Sequence, residues 1–356
     1  MTETTVLTDV RVFDGARLTE ATTVTIVGDV IGEGAEAGET VDGAGATLLP
    51  GLFDAHVHLL TGDDMTALAA WGITTALDMA CWPHQRVESF RGGVPDIRSA
   101  GVPAIGPGGN HSRMLGMPDD AIITAPGQAA GFVARRVAEG SDYIKVVIED
   151  DLLSQEIIDA LIAEGKAHGK LTIAHASSLD SYQRAVRAGA DVVTHVPRDA
   201  VLDDETIARM VEHGQVAVPT LAMMEAVVNG LGLPAALYGN SRDSVTALHA
   251  AGVPVLAGTD AFSAPMPFPP VAHAGGLQHE LDLLVQAGLG NAEALNAATS
   301  LPARYFGLPD RGRVAPGLRA DLVLVDGDPL TDITATGRIL RAWSAGRPLT
   351  VKGDTA

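Results

Sequence analysis

The sequence predicts an α/β protein: an eight-stranded parallel (β/α)8 barrel of the TIM type, with a small β-sandwich domain built jointly by the two ends of the chain. Three observations carry that expectation. Eight short β-rich runs alternate with helical stretches of Ala, Leu, Glu and Arg through the middle of the chain. The helical stretches close on AAWG, RSAG, VAEG, KAHG, VRAG, VEHG and HAAG, where glycine is a C-cap signal. The two ends alternate in the β fashion and are too short to be stable apart.

At the N-terminus the alternating segments are TTVLTDVRVFDG, ATTVTIVGDVIGEG and ETVDGAGATLL. Their C-terminal counterparts are GRVAPGLRADLVLVDGDP and RILRAWSAGRPLTV. They are expected to pair into one domain over 1–49 plus 311–356, leaving 50–310 for the barrel. Its strands are expected at ATLLPGLFDAHVHL, ITTALDMA, VPAIGPGG, YIKVVIE, LTIAHAS, DVVTHVP, QVAVPTLAM and VPVLAGTDA. Eight such units favour a closed barrel over an open doubly wound sheet. Neither GxGxxG nor GxxxxGK[ST] follows the first strand, so the nucleotide-binding folds lack their fingerprint. The glycine- and proline-rich SAPMPFPPVAHAGG after the eighth strand reads as an active-site loop.

Composition limits the function. Mean hydropathy of +0.19 and 46% hydrophobic residues suffice for a large core in 356 residues. The formal net charge of −20 disfavours nucleic acid and anionic membranes as partners and is read as a solubility feature. Cys81 is the single cysteine, which excludes an internal disulfide framework and a cysteine zinc cluster. Met1 to Gly15 shows no signal-peptide pattern, and the apolar runs are strand-length, so a cytoplasmic protein acting on a small molecule is expected. A homo-oligomer is left open.

Barrel enzymes place their chemistry at the C-terminal ends of the strands. The first strand ends in His56 and His58, which share a face because residues i and i+2 do so in a strand. Lys145 lies on the fourth strand, His175 on the fifth, His195 on the sixth and Asp260 on the eighth. Imidazole and carboxylate ligands suit Zn²⁺, Mn²⁺ or Fe²⁺. A desolvated lysine favours its neutral amine, which can capture CO₂ as a carbamate able to bridge two metals. Singly, each residue has an ordinary explanation: polar side chains in an apolar run, hydrogen-bonded core histidines, a snorkelling lysine, a helix N-cap. Six of them at the functional ends of five strands argue for a metal site. His84, His168, His213, His249, His273 and His279 fall mostly in helices or loops and are given no role.

PGLFDAHVHL, IKV, AHA, THV and AGTDA, in this order and spacing, resemble the amidohydrolase superfamily of metal-dependent hydrolases. HELDLLVQAGLGNAEALNAATSLPARYFGL and GRVAPGLRADLVLVDGDPLTDI are similar to the branch of imidazolonepropionase-like enzymes and Xaa-Pro dipeptidases. The resemblance implies two divalent ions, zinc first, with manganese, iron or cobalt as alternatives. It puts His56, His58 and Asp260 on the buried metal and His175 and His195 on the more exposed one, with carbamylated Lys145 bridging them. Asp260 is then also the catalytic acid and base for a metal-bridging hydroxide.

Two departures from that pattern stand out. Only residues 59–71 separate His58 from Gly72, so the pocket mouth is expected to be more open there. GPGGNHSRM stands where a GGHG-like turn is usual, which shifts the candidate substrate-binding His111 by one place; Arg113 is the candidate anchor for a substrate carboxylate. CWPH (81–84), PTLAMM (219–224) and FSAPMPFPP (262–270) either pack the barrel and its loops or form an apolar wall. The leading function is hydrolysis of an amide bond in a dipeptide or N-acyl amino acid. A cyclic amide or lactone hydrolase, a metal-dependent lyase or dehydratase, and a non-catalytic scaffold are the alternatives.

Overall fold

The structure is a computed structural model that describes residues 3–34, 37–114 and 116–353. Five strands open the chain: β1 (Thr4–Val12), β2 (Thr22–Val27), β3 (Val30–Ile31), β4 (Glu39–Asp42) and β5 (Thr47–Pro50). β1 pairs antiparallel with β2 and parallel with β4, and after a register shift between Leu7 and Val10 its end pairs parallel with β5.

The predicted run ATLLPGLFDAHVHL is divided at Gly51 between two sheets. β6 (Leu52–Val57) pairs parallel with β7 (Ile73–Asp78), and β7 with β8 (Asp96–Ser99). A Cβ at position 51 would meet the Thr74 side chain and lie 2.8 Å from Asp321 Cβ, so only glycine fits this crossing between sheets. A second parallel sheet holds β9 (Ile144–Val147), β10 (Thr172–His175), β11 (Val192–Thr194) and β12 (Val216–Val218). These strands are buried along almost their whole length, as parallel strands covered by helices are. Helices Gln155–Ala167, Leu179–Ala188 and Asp204–His213 connect them, each started by a side-chain cap from Ser154, Ser178 or Asp203.

Three further predicted strands differ from the observed ones. The third is regular only over Asp96–Ser99; in VPAIGPGG, where Pro103 and Pro107 lack amide donors, Ala104 and Ile105 make only isolated bridges, to Val146 and Ile122. The seventh stops at Val218: Pro219 follows, and LAMM belongs to helix Leu221–Gly230. The eighth, VPVLAGTDA, forms no regular strand, because Pro254 cannot donate and the backbone leaves strand geometry at Asp260 (φ 57°). It still lies between β12 and β6: Leu256 N–H donates to Ala217 O (2.9 Å) and Ala55 N–H to Ala257 O (2.9 Å). On the other side, Ala104 N–H donates to Lys145 O and Val147 N–H to Ala104 O, both 2.8 Å.

The chain returns through β13 (Leu322–Val325), β14 (Ile339–Ser344) and β15 (Arg347–Pro348). β13 pairs antiparallel with β5, giving an eight-stranded sheet in the order β15-β14-β13-β5-β1-β2-β3, with β4 also on β1. Leu7, Val10, Ile26, Leu48, Leu322, Leu324 and Trp343 from both ends of the chain share one apolar cluster. No helix among the described residues is long and apolar enough to cross a membrane.

Candidate metal centre

His56 and His58 project from the end of β6 toward Asp260. Their Nε2 atoms lie 3.2 and 2.9 Å from Asp260 Oδ1, and the potential ligand atoms of the three residues all fall within 4.8 Å of one another. Asp260 takes a left-handed φ of 57°, a conformation costly for a non-glycine residue, and its N–H donates to His56 O at 2.7 Å. Asp54 braces both sides of this arrangement. Its buried carboxylate accepts from His56 N–H (3.2 Å), Thr259 N–H (3.0 Å) and the Thr259 hydroxyl (2.7 Å). Burial pushes Asp54 up to about 7.

The second half of the cluster follows through His195, whose ring centroid is 4.9 Å from that of His56 and 4.3 Å from that of His175. His195 also has a left-handed φ, 71°. Its Nδ1 meets Thr220 Oγ1 at 2.7 Å, and its Nε2 is buried without a hydrogen-bond partner. Lys145, 3% exposed, donates from Nζ to Thr194 Oγ1 at 2.9 Å. Burial pushes that amine down to about 7, against the pull of Asp260 and Asp78. Thr194 immediately precedes His195 on the chain, so this bond sets Lys145 beside the histidine cluster.

The donor chemistry fits divalent ions. Burial holds His56 down to about 3 and keeps His175 and His195 well below the usual imidazole range, so these rings are neutral and carry a lone pair. Burial would raise Asp260, yet the hydrogen bonds from His56 and His58 hold it well below the usual carboxylate range. Burial also opposes charge on His58, but its bond to Asp260 outweighs that and raises it. An orphaned buried nitrogen such as His195 Nε2 is costly unless something binds it.

Of the predicted substrate residues, the structure brings in one. The His111 ring lies 4.8 Å from the His175 ring, and its Nδ1 is 3.0 Å from Glu149 Oε2. The His111 hydrogen bond, against burial, holds Glu149 down to about 2. Arg113 is exposed, and its guanidinium donates to Gly108 O at 2.9 Å. Met223 and Met224 are buried in the core, which removes most of PTLAMM from the mouth. The 262–275 loop does adjoin the site: the Phe262 ring stands edge-on to His58 at 5.7 Å, and His273 Nε2 is 3.0 Å from His58 O. Ser263 to Pro270 line an open hollow of about 510 Å³.

Sequence reasoning missed the residues that hold the cluster. Asp54 lies two positions before His56, a spacing that places it on the same side of β6. Asp78 ends β7, where it accepts from Leu59 N–H (3.0 Å) and Ser99 Oγ (2.5 Å); its strand-end position was the available signal. Burial pushes Asp78 up to about 6. Thr220 and Glu280 carried no local signal.

The sequence profile of the Amidohydrolase family matches residues 47–349. An uncharacterised protein of Mycobacterium tuberculosis is 30% identical over 321 residues, covering 80% of each chain. Adenine deaminase 2 of Rhizobium meliloti is 29% identical over 327 residues, 86% of this chain but 51% of that one, so the chain spans about half the length of that relative. Among solved structures, a Xaa-Pro dipeptidase with bound methionine superposes with a TM-score of 0.82 at 21% identity, covering 97% of this chain and 99% of that one. A putative prolidase from Bifidobacterium longum gives 0.83 at 24%, covering 100% and 97%. These structures share the fold. The profile match over most of the chain, together with the His56–His58–Asp260 cluster, makes this chain a member of the amidohydrolase family, hydrolases acting on carbon–nitrogen bonds.

Proposed function

We propose that the chain is a binuclear metal-dependent hydrolase that cleaves an amide bond of a small molecule, such as a dipeptide or N-acyl amino acid. The observation that carries the reading is a buried lysine poised near neutrality among four histidines and an aspartate that otherwise form a ligand set. His56, His58 and Asp260 would hold one ion, His175 and His195 the other, with Lys145 carbamylated between them. Zinc is the first choice, with manganese, iron or cobalt also compatible. Bound divalent ions supply Lewis acidity, polarising the amide carbonyl and acidifying water.

The chain's own residues do the rest. The Asp260 carboxylate takes a proton from the attacking water and returns it to the leaving nitrogen. Asp54, through His56 and Thr259, keeps Asp260 in its left-handed conformation for that exchange. His111, oriented by Glu149, donates to the substrate. Phe262, edge-on to His58, offers an apolar face for the acyl or side-chain group. A net charge of −20 supports a small-molecule substrate over nucleic acid, and a cytoplasmic setting is part of the same reading.

We also infer that the parallel strands close into a (β/α)8 barrel over 50–310. The bonds from Ala104 to β9, from Leu256 to β12 and from Ala55 to Ala257 support it, because they link the two parallel sheets on both sides. The apolar cluster shared by β1, β2, β5, β13 and β14 supports a small β-sandwich domain formed by 1–49 and 311–356.

The test is a panel of dipeptides, N-acyl amino acids, lactams and lactones, assayed with metal-loaded protein in ¹⁸O-labelled water. Label appearing in a new carboxylate of a linear amide is the expected result. Turnover only by elimination, without label, would replace the reading with a lyase.

A further inference from the structure

Glu280 lies in helix Gly276–Gln286, is 0% exposed, and has no part in the ligand set. Its Oε1 accepts from Leu221 N–H at 3.0 Å and its Oε2 from Ala222 N–H at 2.7 Å. These are the first two amides of helix Leu221–Gly230, whose N-cap is Thr220. An N-cap threonine ordinarily spends its hydroxyl on the second or third amide, and Glu280 takes the second, Ala222 N–H. Here Thr220 makes no side-chain cap, and its Oγ1 instead meets His195 Nδ1 at 2.7 Å.

We propose that Glu280 is a positioning residue for His195: it takes over the capping of the helix and thereby frees the Thr220 hydroxyl to orient the imidazole. With Nδ1–H donating to Thr220 Oγ1, the lone pair is left on Nε2, the nitrogen that is buried without a partner. Both residues of the pair are strained, Thr220 at φ 50° and His195 at φ 71°, so their geometry has to be imposed by neighbours. A carboxylate is a costly way to fill a fully buried position, since burial pushes Glu280 up to about 8, and an apolar side chain would pack there more cheaply. Two donated amide bonds alone would not require the neighbouring threonine to turn its hydroxyl the other way.

This inference rests on the metal-centre reading, and the experiment separates the two. Full-length protein, wild type and the variants Glu280→Gln, Thr220→Val and Thr220→Ser, is loaded with zinc in bicarbonate. Zinc per chain is measured by elemental analysis, zinc release by transfer to a chelator, and melting on the metal-free proteins. Glu280→Gln and Thr220→Val are expected to weaken retention of one of the two equivalents about ten-fold or more, the usual effect of losing a ligand's orienting partner. Thr220→Ser is expected to retain it. The double variant is expected to lose no more than Thr220→Val alone, because both act through one hydroxyl. A variant that melts earlier but retains zinc as the wild type does would show a merely structural role and overturn the inference, as would full additivity in the double variant. If Glu280→Gln does not fold, Glu280→Asp, which keeps the carboxyl group but shortens its reach, takes its place, and wild-type retention there overturns the inference. Wild-type protein that binds no zinc would instead overturn the metal-centre reading itself.

Discussion

Lys145 gives the sharpest prediction, because its burial fixes both a direction and a size. The amine is 3% exposed and donates a hydrogen bond to the Thr194 hydroxyl. Burial lowers it from its ordinary 10.5 to about 7, which corresponds to about 5 kcal/mol against the charged form. At pH 6 about one chain in ten then carries the neutral amine, and at pH 8 about nine in ten. Only the neutral amine reacts with CO₂, so bicarbonate-dependent uptake of the second metal equivalent should rise severalfold between pH 6 and pH 8 at fixed dissolved CO₂. The assay is metal content per chain by elemental analysis, on protein stripped of metal and reloaded with and without CO₂. Lys145→Arg, which stays charged and cannot form a carbamate, should stay below two equivalents at every pH. Two equivalents bound equally well in CO₂-free buffer, or by Lys145→Arg, would refute the bridging role.

Further outcomes follow from the same geometry. Asp260→Asn keeps the shape but loses the base; on any substrate from the panel it should lower kcat about 10²–10⁴-fold with a smaller change in KM, and the reverse pattern in steady-state kinetics would remove Asp260 as the proton carrier. Asp54→Ala leaves His56 N–H and Thr259 N–H buried without their acceptor, and should cost the metal-free protein about 3 kcal/mol or more in denaturant unfolding; a loss under about 1 kcal/mol would show that Asp54 braces nothing. Glu280 is raised on folding from 4.5 to about 8, so the folded state holds a proton that the unfolded chain releases, and its contribution to stability falls as pH rises through that window. The stability difference between wild type and Glu280→Gln should therefore shift against the wild type from pH 5 to pH 8, and a flat difference in unfolding measured across that range would contradict the buried placement.

The parts of the centre legible in the sequence are those with a local cause. An HxH at the end of an apolar run shares one face because strands alternate, and AHA, THV and GTD close short runs that stop at glycine, serine or proline. Where local cues failed, a backbone reason is visible. VPVLAGTDA reads as a strand by composition, but Pro254 and the left-handed Asp260 leave it held by scattered bonds. LAMM reads as β-rich, yet Pro219 ends the strand and Glu280 caps a helix at Leu221. ATLLPGLFDAHVHL reads as one strand, and a glycine that only a crowded crossing requires divides it.

The sequence by itself determined the donor chemistry: which residue types stand at strand ends, in an order that groups imidazoles, a carboxylate and a lysine. Tertiary structure alone decided what holds them. Asp54 reaches Thr259 across 205 residues, and Glu280 reaches Leu221 across 59. The states of Lys145, Asp54 and Glu280 arise from burial that appears only when the strands and helices close around them. Alternation along a strand is encoded residue by residue, whereas desolvation and long-range bracing are properties of the packed chain, and no local pattern of side chains contains them.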